Sequence, residues 1–407
     1  MRVLVVSQYF WPEVFRVNEI VADLVRRGHE VTVLTGRPNY PDGRVFDAYI
    51  NNPRAFSSYA GAEVLRVPLR PRRQGSLRLM LNYWSFVFWG CLLGPWWLRG
   101  RSFDSIFVFE TSPITSAIPA VLLKWLKQAR LTIWVLDLWP DTLSAIGVLK
   151  SPWLLGLVGH LVAWIYRHCD LILAQSYGFF KPIERWSRDA RKTRYFPQWA
   201  EADFDAPALA RATVAAELAP HDGRIKIMFA GNLGEAQDLP AVLDAAERLR
   251  ERSDIHWLLV GDGRAAAMVR EQIQRRGLTQ TVFMLGRHPL ERMPDFFKGA
   301  DALLVSLKPE PIFALTVPGK VQSYLASGRP VIAMLDGEGA EVIGRSGAGL
   351  TCPAGRPDLL AERVLQLAAL DKAQRDAMGQ RGQAFARNEF GRQGLMDQFE
   401  GWLQGQG

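Results

Sequence analysis

Cysteine is scarce in this sequence, and the few that are present argue against two kinds of site. The chain of 407 residues has three cysteines, Cys91, Cys169 and Cys352, which are far apart and fit no metal-ligand spacing. An odd number of isolated cysteines argues against a disulfide framework and favours a reducing compartment. The first residues, MRVLVVSQYF, also lack the features of a signal peptide. We therefore expect a cytoplasmic protein.

Several common cofactor and catalytic motifs are missing as well. No GxGxxG follows the first apolar run, and the nearest match, Gly261-Asp262-Gly263, has no acidic residue after the next predicted strand. NAD binding is therefore disfavoured. The sequence has no P-loop, no HExxH and no serine–histidine–aspartate set. Asp203 and Asp205 have the spacing of a Mg²⁺-binding carboxylate pair, but their alanine-rich surroundings favour a solvated loop or helix cap. We expect no metal and no cofactor.

The formal net charge of +8 indicates an anionic partner, such as nucleic acid, a phosphorylated substrate or anionic lipid. Arginines are concentrated on both sides of an uncharged segment at 79–98: Arg66, Arg70, Arg72, Arg73, Arg78, Arg99 and Arg101. Nucleic acid is the less favoured partner, because the aromatic residues form one apolar block and are not spread along a basic groove.

The segment at 79–98, LMLNYWSFVFWGCLLGPWWL, is long enough as a helix to reach across a bilayer core, about 30 Å. We expect it not to cross, because the strands before and after it belong to one predicted sheet and arginines flank both ends. Gly94 and Pro95 are expected to break the helix. We predict a helix in the membrane interface, with 153–166 as a neighbour. The contacts would be Arg73, Trp84, Trp89, Trp96 and Trp97. Burial of both helices in the first domain's core is the alternative.

Short apolar runs alternate with helical patterns along the whole chain, which predicts a parallel α/β fold. The predicted strands are 3–6, 30–35, 63–67, 105–109, 131–136 and 171–174, then 226–229, 256–260, 281–285, 302–305 and 330–333. We expect two doubly wound Rossmann-like domains facing a central cleft. The predicted divisions are an N-terminal domain at 1–196, a linker at 197–224, a C-terminal domain at 225–385, and a helix at 386–407 that packs back toward the first domain.

Two segments of the second half have the features of a phosphate site. In FAGNLGEAQD, at 229–238, two glycines bracket the turn between a strand and a helix expected to begin near Leu239. Backbone N–H groups at such a turn suit a diphosphate, although a turn without a ligand is equally compatible. In VPGKVQSYLASGRP, at 317–330, Lys320 lies in the first turn of a helix that begins at Pro318 and Gly319. A cation there opposes the helix dipole, which favours an anionic ligand over a merely exposed lysine.

GNLGEAQ, VGDGR and VPGKVQSYLASGRPVIA resemble the donor domain of family 4 glycosyltransferases, in the branch that makes bacterial surface polysaccharides. SQYFWPE, RRGHEVTVLTGRPNYPDG and LDLWPD are similar to the same branch. The resemblance implies a GT-B fold, a nucleotide-sugar donor, retention of anomeric configuration and no metal. It also implies transfer of a sugar, for instance an N-acetylated amino or deoxy sugar, to a polyprenyl-diphosphate-linked acceptor at the inner face of the cytoplasmic membrane.

The sequence departs from the family at two places. Leu315 and Ser323 occupy the positions of two family glutamates, and Gln237 and Asp238 replace a basic residue after the glycine turn. Lys320 is therefore our first choice for neutralising the leaving diphosphate, with Arg16 and Arg264 in reserve. The residues assigned to donor binding are Gly231, Asn232, Gly234, Gln237, Arg264, Lys320, Gln322 and Glu341.

Catalysis by two carboxylates about 5 Å apart is not indicated, since no such pair is evident in the sequence. We expect front-face chemistry instead, in which the donor phosphate takes the acceptor's proton. Glu13 and Asp137 are the carboxylates expected to orient the acceptor, although turn formation or helix capping explains each equally well. Arg16, Asn18, Asn39 and Tyr40 are the expected acceptor contacts. A nucleotide-sugar 2-epimerase of the same architecture and a non-catalytic membrane scaffold are the alternative functions.

Overall fold

The computed structural model describes residues 1–41, 43–72, 76–145, 147, 149, 151–204 and 206–406. The chain forms two compact units. The first comprises Met1–Phe196 together with the C-terminal segment from Gln393, and the second comprises Pro197–Arg392.

The first unit is built on an eight-stranded sheet. Its strands are β1 (Arg2–Val6), β2 (Glu30–Gly36), β3 (Ser58–Tyr59), β4 (Ala62–Val67), β5 (Ser105–Glu110), β6 (Arg130–Val135), β7 (Leu171–Ala174) and β8 (Thr193–Tyr195). Its helices are α1 (Arg16–Arg26), α2 (Asp47–Asn51), α3 (Ser76–Trp97), α4 (Ile118–Lys127), α5 (Asp141–Ala145), α6 (Pro152–His168) and α7 (Phe180–Ser187). The strand order is β3-β4-β2-β1-β5-β6-β7-β8, and every pair except β3–β4 is parallel.

This strand order determines which helices share a layer. The chain moves in one direction across the sheet from β4 to β5, β6 and β7, so right-handed crossovers place α3, α4 and α6 on the same face. The crossover from β1 to β2 runs the other way and places α1 on the opposite face. The C-terminal helix joins α1, where Arg27 Nη1 lies 2.8 Å from Glu400 Oε2 and Phe399 packs on Phe107.

Helix α3 contains the uncharged segment, and it does not break where the sequence predicted. The helix runs continuously through Gly94 and Pro95 to Trp97. Pro95 lies two residues before the end, where its missing N–H removes a single hydrogen bond and little helix remains to be disturbed. Gly90 and Gly94 lie on the buried side, and a Cβ at Gly90 would lie 2.8 Å from Pro119. Within the described residues, no helix is both long and apolar enough to span a membrane.

The second unit is built on a six-stranded parallel sheet in the order β11-β10-β9-β12-β13-β14. Its strands are β9 (Ile225–Ala230), β10 (Ile255–Val260), β11 (Val282–Gly286), β12 (Ala302–Ser306), β13 (Val331–Met334) and β14 (Gly349–Cys352). Its helices are α8 (Ala206–Arg211), α9 (Leu239–Arg248), α10 (Ala266–Arg275), α11 (Met293–Gly299), α12 (Pro311–Ala314), α13 (Gly319–Ala326), α14 (Glu338–Ser346), α15 (Pro357–Ala368) and α16 (Lys372–Glu389). Helix α17 (Arg392–Leu403) then returns to the first unit.

All eleven predicted strands are present, each within one residue of its predicted bounds. The edge strands β3, β8 and β14 were not predicted, because β3 and β8 have only two and three residues and β14, GLTC, is not a continuous apolar run. Two predicted divisions also differ from the structure. Residues 197–224 pack as part of the second unit, where Phe204 and Leu218 lie in the core. Position 386 falls inside α16, a helix of the second unit.

Candidate active site

In the second unit, two glycine loops interlock at the carboxyl ends of β9 and β10. Gly231 N donates to Val260 O at 2.9 Å, and Leu233 N donates to Asp262 O at 2.9 Å. A Cβ at Gly261 would lie 1.9 Å from Gly231 O, and the φ of Gly261 is +142°. Glycine at this position is therefore required both by the close approach of the two loops and by the backbone conformation. Gly261-Asp262-Gly263, the partial dinucleotide motif, supports the turn at 231–234.

Lys320 lies beside this turn, in the first turn of α13 as the sequence predicted. Its Nζ is buried and has no hydrogen-bond partner among the described residues. It lies 3.7 Å from the centre of the Phe229 ring, and a Cβ at Gly231 would lie 3.4 Å from it. Burial lowers the pKa of Lys320 to about 7. A buried ammonium without a partner is costly, so a ligand that supplies negative charge would be favoured here.

The other predicted donor residues differ in their surroundings. Asn232 and Gly234 form the turn, and the short helical segment Glu235–Gln237 carries Gln237 to the start of α9. Arg264 and Glu341 are exposed. The Gln322 amide is engaged by its own helix: oriented to satisfy its hydrogen bonds, Nε2 donates to the carbonyls of Pro318 and Gly319 at 3.1 and 2.8 Å. The assignment of Gln322 to donor binding is therefore corrected, because its side chain secures the start of α13.

Ser323, at the position of a family glutamate, has a carboxylate partner from another part of the unit. The Ser323 hydroxyl donates a hydrogen bond to the carboxylate of Glu201, which lies near the beginning of the second unit. Sequence analysis did not single out Glu201, because the contact joins residues far apart in the chain. Tyr324 next to it is buried, and its hydroxyl donates to Ala230 O at 3.0 Å. That hydrogen bond fixes the end of β9 immediately before the glycine turn.

In the first unit, Glu13 is a buried carboxylate that joins two loops. Its Oε1 accepts hydrogen bonds from the backbone N–H groups of Asn39 and Tyr40, both at 2.7 Å. Its Oε2 accepts one from Phe10 N at 3.1 Å. Burial raises the pKa of Glu13 to about 7 even though these N–H groups favour the charged form. The side chain holds the loop after β1 against the loop after β2.

The predicted acceptor contacts surround Glu13, but the polar atoms of two of them are already engaged. Asn18 accepts from Trp11 N at 3.0 Å and donates to Glu13 O at 2.7 Å. Asn39 is fully buried, donates to Arg37 O and accepts from Arg72 N, both at 3.0 Å. These two residues therefore shape the loops, and their assignment as acceptor contacts is corrected.

Tyr40 and Arg16 remain near the same loops. The ring of Tyr40 packs on Tyr9 and Phe15, and the Arg72 guanidinium lies 5.4 Å from its centre. Arg16 begins α1 and pairs with Glu19 at 3.0 Å.

Asp137, the second predicted carboxylate, lies close to a carboxyl group that sequence analysis missed. Glu110, the last residue of β5, is completely buried, and its Oε2 accepts from Asp137 N at 3.4 Å. Burial raises the pKa of Asp137 to about 6 and that of Glu110 well above the usual range of a glutamate. The rule that selected Asp137, an acidic residue at the carboxyl end of a central strand, also applies to Glu110.

The predicted membrane contacts fall into three groups. Trp84 and Trp96 are exposed by 49% and 67%. Trp89 and Trp97 are half-buried, and Trp89 packs edge-to-face on Phe88. Arg73 lies outside the described residues. Among those residues, no group of three or more His, Cys, Asp or Glu side chains could hold a metal ion. Of the carboxylate pair with Mg²⁺-binding spacing, Asp203 belongs to no such group, and Asp205 lies outside the described part of the chain.

Comparison with known proteins decides the family. A family model described as "Glycosyl transferase 4-like domain" matches residues 14–199, and one described as "Glycosyl transferases group 1" matches residues 224–369. The two matches fall on the two halves of the chain in order. The chain is a family 4 glycosyltransferase.

Curated relatives of this glycosyltransferase cover much of its length. It is 28% identical over 351 residues to the putative colanic acid biosynthesis glycosyl transferase WcaI of Escherichia coli K12, covering 81% of the chain and 82% of the relative. It is 26% identical over 277 residues to the probable glycosyltransferase WbjE of Pseudomonas aeruginosa, covering 67% and 68%.

Solved structures confirm the GT-B fold of this glycosyltransferase. Anabaena Alr3699/HepE in complex with UDP and glucose matches with a TM-score of 0.70 at 16% identity, covering 100% of both chains. WaaG, a glycosyltransferase involved in lipopolysaccharide biosynthesis, matches with a TM-score of 0.66 at 13% identity, again over 100% of both chains.

Proposed function

We propose that this glycosyltransferase transfers a sugar from a nucleoside-diphosphate sugar to a polyprenyl-diphosphate-linked acceptor, with retention, in the synthesis of a surface polysaccharide. The observation that carries the proposal is the buried, unpaired Nζ of Lys320 beside the glycine turn at 231–234. Negative charge grows on the β-phosphate as the anomeric bond breaks. A fixed cation and oriented N–H groups stabilise such charge most effectively where water is excluded.

The relatives support the class of donor and of product. HepE was crystallised with UDP and with UDP-glucose, and WcaI is described as an enzyme of colanic acid biosynthesis. The sugar we propose is an N-acetylated amino or deoxy sugar. We propose that no metal takes part, because Lys320 supplies the positive charge that a divalent ion would otherwise bring to the diphosphate. EDTA should therefore leave turnover unchanged.

Retention by front-face chemistry is supported by the surroundings of the carboxylates. Glu110 and Asp137 lie side by side in the first unit, but Glu110 is completely buried and cannot reach an anomeric carbon. A double displacement that uses a pair of carboxyl groups needs both of them at the anomeric carbon, and Glu110 is not available there. We propose that the leaving phosphate takes the acceptor's proton, while Asp137 orients the acceptor hydroxyl.

A membrane partner is supported by an apolar face on the first unit, formed by the exposed side chains of α3, α4 and α6. Met80, Trp84, Phe88, Leu92 and Trp96 recur every four residues along α3 and are 49–67% exposed. Trp125 on α4 and Trp153 and Trp164 on α6 extend this apolar face. Thirteen of the eighteen exposed large apolar side chains in the described residues lie on these three helices. A patch of this kind marks an interaction surface.

The charges around the apolar face favour an anionic bilayer as the occupant. None of the three helices contains an acidic residue. Exposed arginines lie on or next to them: Arg78, Arg99, Arg101 and Arg167. Tryptophan at headgroup depth and arginine on anionic lipid are the usual components of an interfacial attachment. We propose attachment to the inner face of the cytoplasmic membrane.

Co-sedimentation with vesicles tests the attachment. The protein should bind vesicles containing phosphatidylglycerol more strongly than pure phosphatidylcholine vesicles, and less strongly as salt increases. The double variant Trp96→Ala/Trp125→Ala should bind less. The control Leu290→Ala, which removes an exposed apolar side chain of the second unit, should bind like the wild type. Binding that is indifferent to lipid charge and to both tryptophans would contradict the proposal. A dimer lost on these substitutions would show that a second copy occupies the face.

A panel of nucleotide sugars and polyprenyl-diphosphate-linked acceptors, with products followed by mass, tests the transfer reaction. Product that contains both donor sugar and acceptor lipid supports the proposal. A converted nucleotide sugar formed without acceptor would identify an epimerase. Vesicle binding without turnover, and without thermal stabilisation by UDP or GDP, would identify a scaffold.

A further inference from the structure

Glu110 and Asp137 form a pair of carboxyl groups at the carboxyl ends of neighbouring strands in the first unit. Glu110 Oε1 accepts from Ser112 N at 3.0 Å, and its Oε2 accepts from Asp137 N at 3.4 Å. Ser112 Oγ accepts from Trp139 Nε1 at 3.0 Å, and the same hydroxyl hydrogen-bonds the Asp137 carboxylate. Ser112 adopts a φ of +81°, which is unusual for a residue with a side chain. The two loops are therefore held together around Glu110.

Within the described part of the chain, no cation compensates a charge on Glu110. Among the described residues, no lysine, arginine or histidine lies within ion-pair distance of its carboxyl group, and its side chain is completely buried. The backbone N–H groups of Ser112, Asp137 and Leu136 favour the charged form of Glu110, but its burial and the neighbouring Asp137 carboxylate outweigh them. Asp137 is only half-buried and can keep its charge in contact with solvent or substrate. Of the two groups, Glu110 is therefore the one that holds a proton more readily.

We propose that Glu110 is a positioning residue that holds a proton, so that the neighbouring Asp137 remains the carboxylate that accepts the hydrogen bond of the acceptor hydroxyl. A neutral Glu110 would place no second negative charge beside Asp137, while its Oε1 and Oε2 hold the backbone N–H groups of Ser112 and Asp137 in place. This inference rests on the proposed function only for the identity of the hydroxyl. The proton on Glu110 follows from the structure of the first unit alone.

The other titratable groups near the pair are compatible with this arrangement. Tyr83 on α3 and Tyr166 on α6 are both coupled electrostatically to Glu110 and Asp137. The Tyr166 hydroxyl is buried without a hydrogen-bond partner among the described residues. The charge of Asp141 raises the pKa of Tyr166, and the Arg72 guanidinium lowers that of Tyr83. None of these groups supplies a positive charge to Glu110 itself.

Infrared difference spectroscopy tests the proton without any substrate. At pH 8, above the pKa of about 6 for Asp137 and about 7 for Glu13, the wild type should show the C=O band of a protonated carboxylic acid. Glu110→Gln should remove that band. Asp170→Asn, which removes an exposed carboxylate paired with Lys124, should leave it in place. A spectrum with no such band, or a band that survives in Glu110→Gln, would overturn the proposal.

Kinetics of the same variants test the positioning role. Glu110→Ala should reduce kcat/KM for the acceptor about 100-fold, as should Asp137→Asn, with KM for the donor unchanged. Glu110→Gln copies the protonated side chain and should recover activity to within about threefold of the wild type. A folded Glu110→Gln that is as inactive as Glu110→Ala would overturn the role. If no acceptor gave turnover, the proposed function would fail while the infrared result still decided the proton on Glu110.

Discussion

The Nζ of Lys320 lies 3.7 Å from the centre of the Phe229 ring and is buried without a hydrogen-bond partner among the described residues. The ring offers a weak attraction to the cation but does not replace a counter-ion. The structure thus holds a positive charge at a cost in stability, at the point where the loop after β9 turns. A diphosphate bound there would remove that cost.

Lys320→Ala should reduce kcat by about 100-fold or more, because the leaving diphosphate loses its fixed cation. Lys372→Ala is the matched control, since that side chain is 81% exposed and paired with Asp376. Steady-state kinetics with saturating donor and acceptor measure both variants. A folded Lys320→Ala enzyme with the wild-type kcat would remove Lys320 from the mechanism.

The affinity for UDP or GDP should fall as the pH rises from 7 to 9. Lys320 in the free protein has a pKa of about 7, and a bound diphosphate stabilises its protonated form, so binding takes up a proton above this pH. The limiting slope is about a tenfold loss of affinity per pH unit. Calorimetric titrations in buffers of different ionisation enthalpy measure the proton uptake. Lys320→Met should bind weakly with no such slope, and an equal slope in that variant would contradict the assignment.

Lys320→Met should also be more stable than the wild type at neutral pH, by several kcal/mol, because each unit of a lowered pKa corresponds to about 1.4 kcal/mol. Burial lowers the pKa of Lys320 to about 7, so between this value and the pKa of about 10.5 in the unfolded chain the unfolded state binds more protons. The stability of the wild type therefore rises with pH across this window, and the advantage of the variant shrinks toward pH 10. Urea unfolding at pH 7 and pH 9.5 measures both differences. An advantage that does not change with pH would contradict a buried ammonium.

Gly261→Ala should abolish nucleotide binding and lower Tm by several degrees. Its Cβ would lie 1.9 Å from Gly231 O, and its φ of +142° is strained for alanine. Gly344→Ala is the control, because it lies in α14 with no atom within 4 Å of the new Cβ. That change should be neutral or slightly stabilising. Thermal unfolding with and without UDP compares the two, and equal behaviour would show that the glycine loops do not interlock as described.

The sheets could be predicted from the sequence more fully than the site. Buried parallel strands are continuous β-branched and aromatic runs, such as the one at 105–110, and they are visible without tertiary information. Helix α3 was predicted to break at Gly94 and Pro95 because the sequence does not show how near the helix end a proline lies. Glycine at 90 and 94 has a packing reason that only the neighbouring α4 reveals.

The site residues show the same distinction between local properties, which the sequence displays, and long-range contacts, which it does not. Lys320 could be identified because a lysine in the first turn of a helix opposes the helix dipole, which is a local property. The role of Asn39 could not, because it depends on a contact with Glu13, which lies 26 residues earlier. Gln322 was misassigned because nothing in the sequence shows that its side chain folds back onto the start of α13. Glu110 meets the criterion that selected Asp137, an acidic residue at the carboxyl end of a central strand, so the sequence did contain a signal for it.

Mass analysis of the transfer reaction, in which wild type and Lys320→Ala are compared on the same donor panel and acceptor lipid, tests the central claim most directly. We expect a product that carries the donor sugar on the acceptor lipid for at least one nucleotide sugar, formed about 100-fold more slowly by Lys320→Ala. No transfer by the wild type from any donor, together with no stabilisation by UDP or GDP, would contradict it.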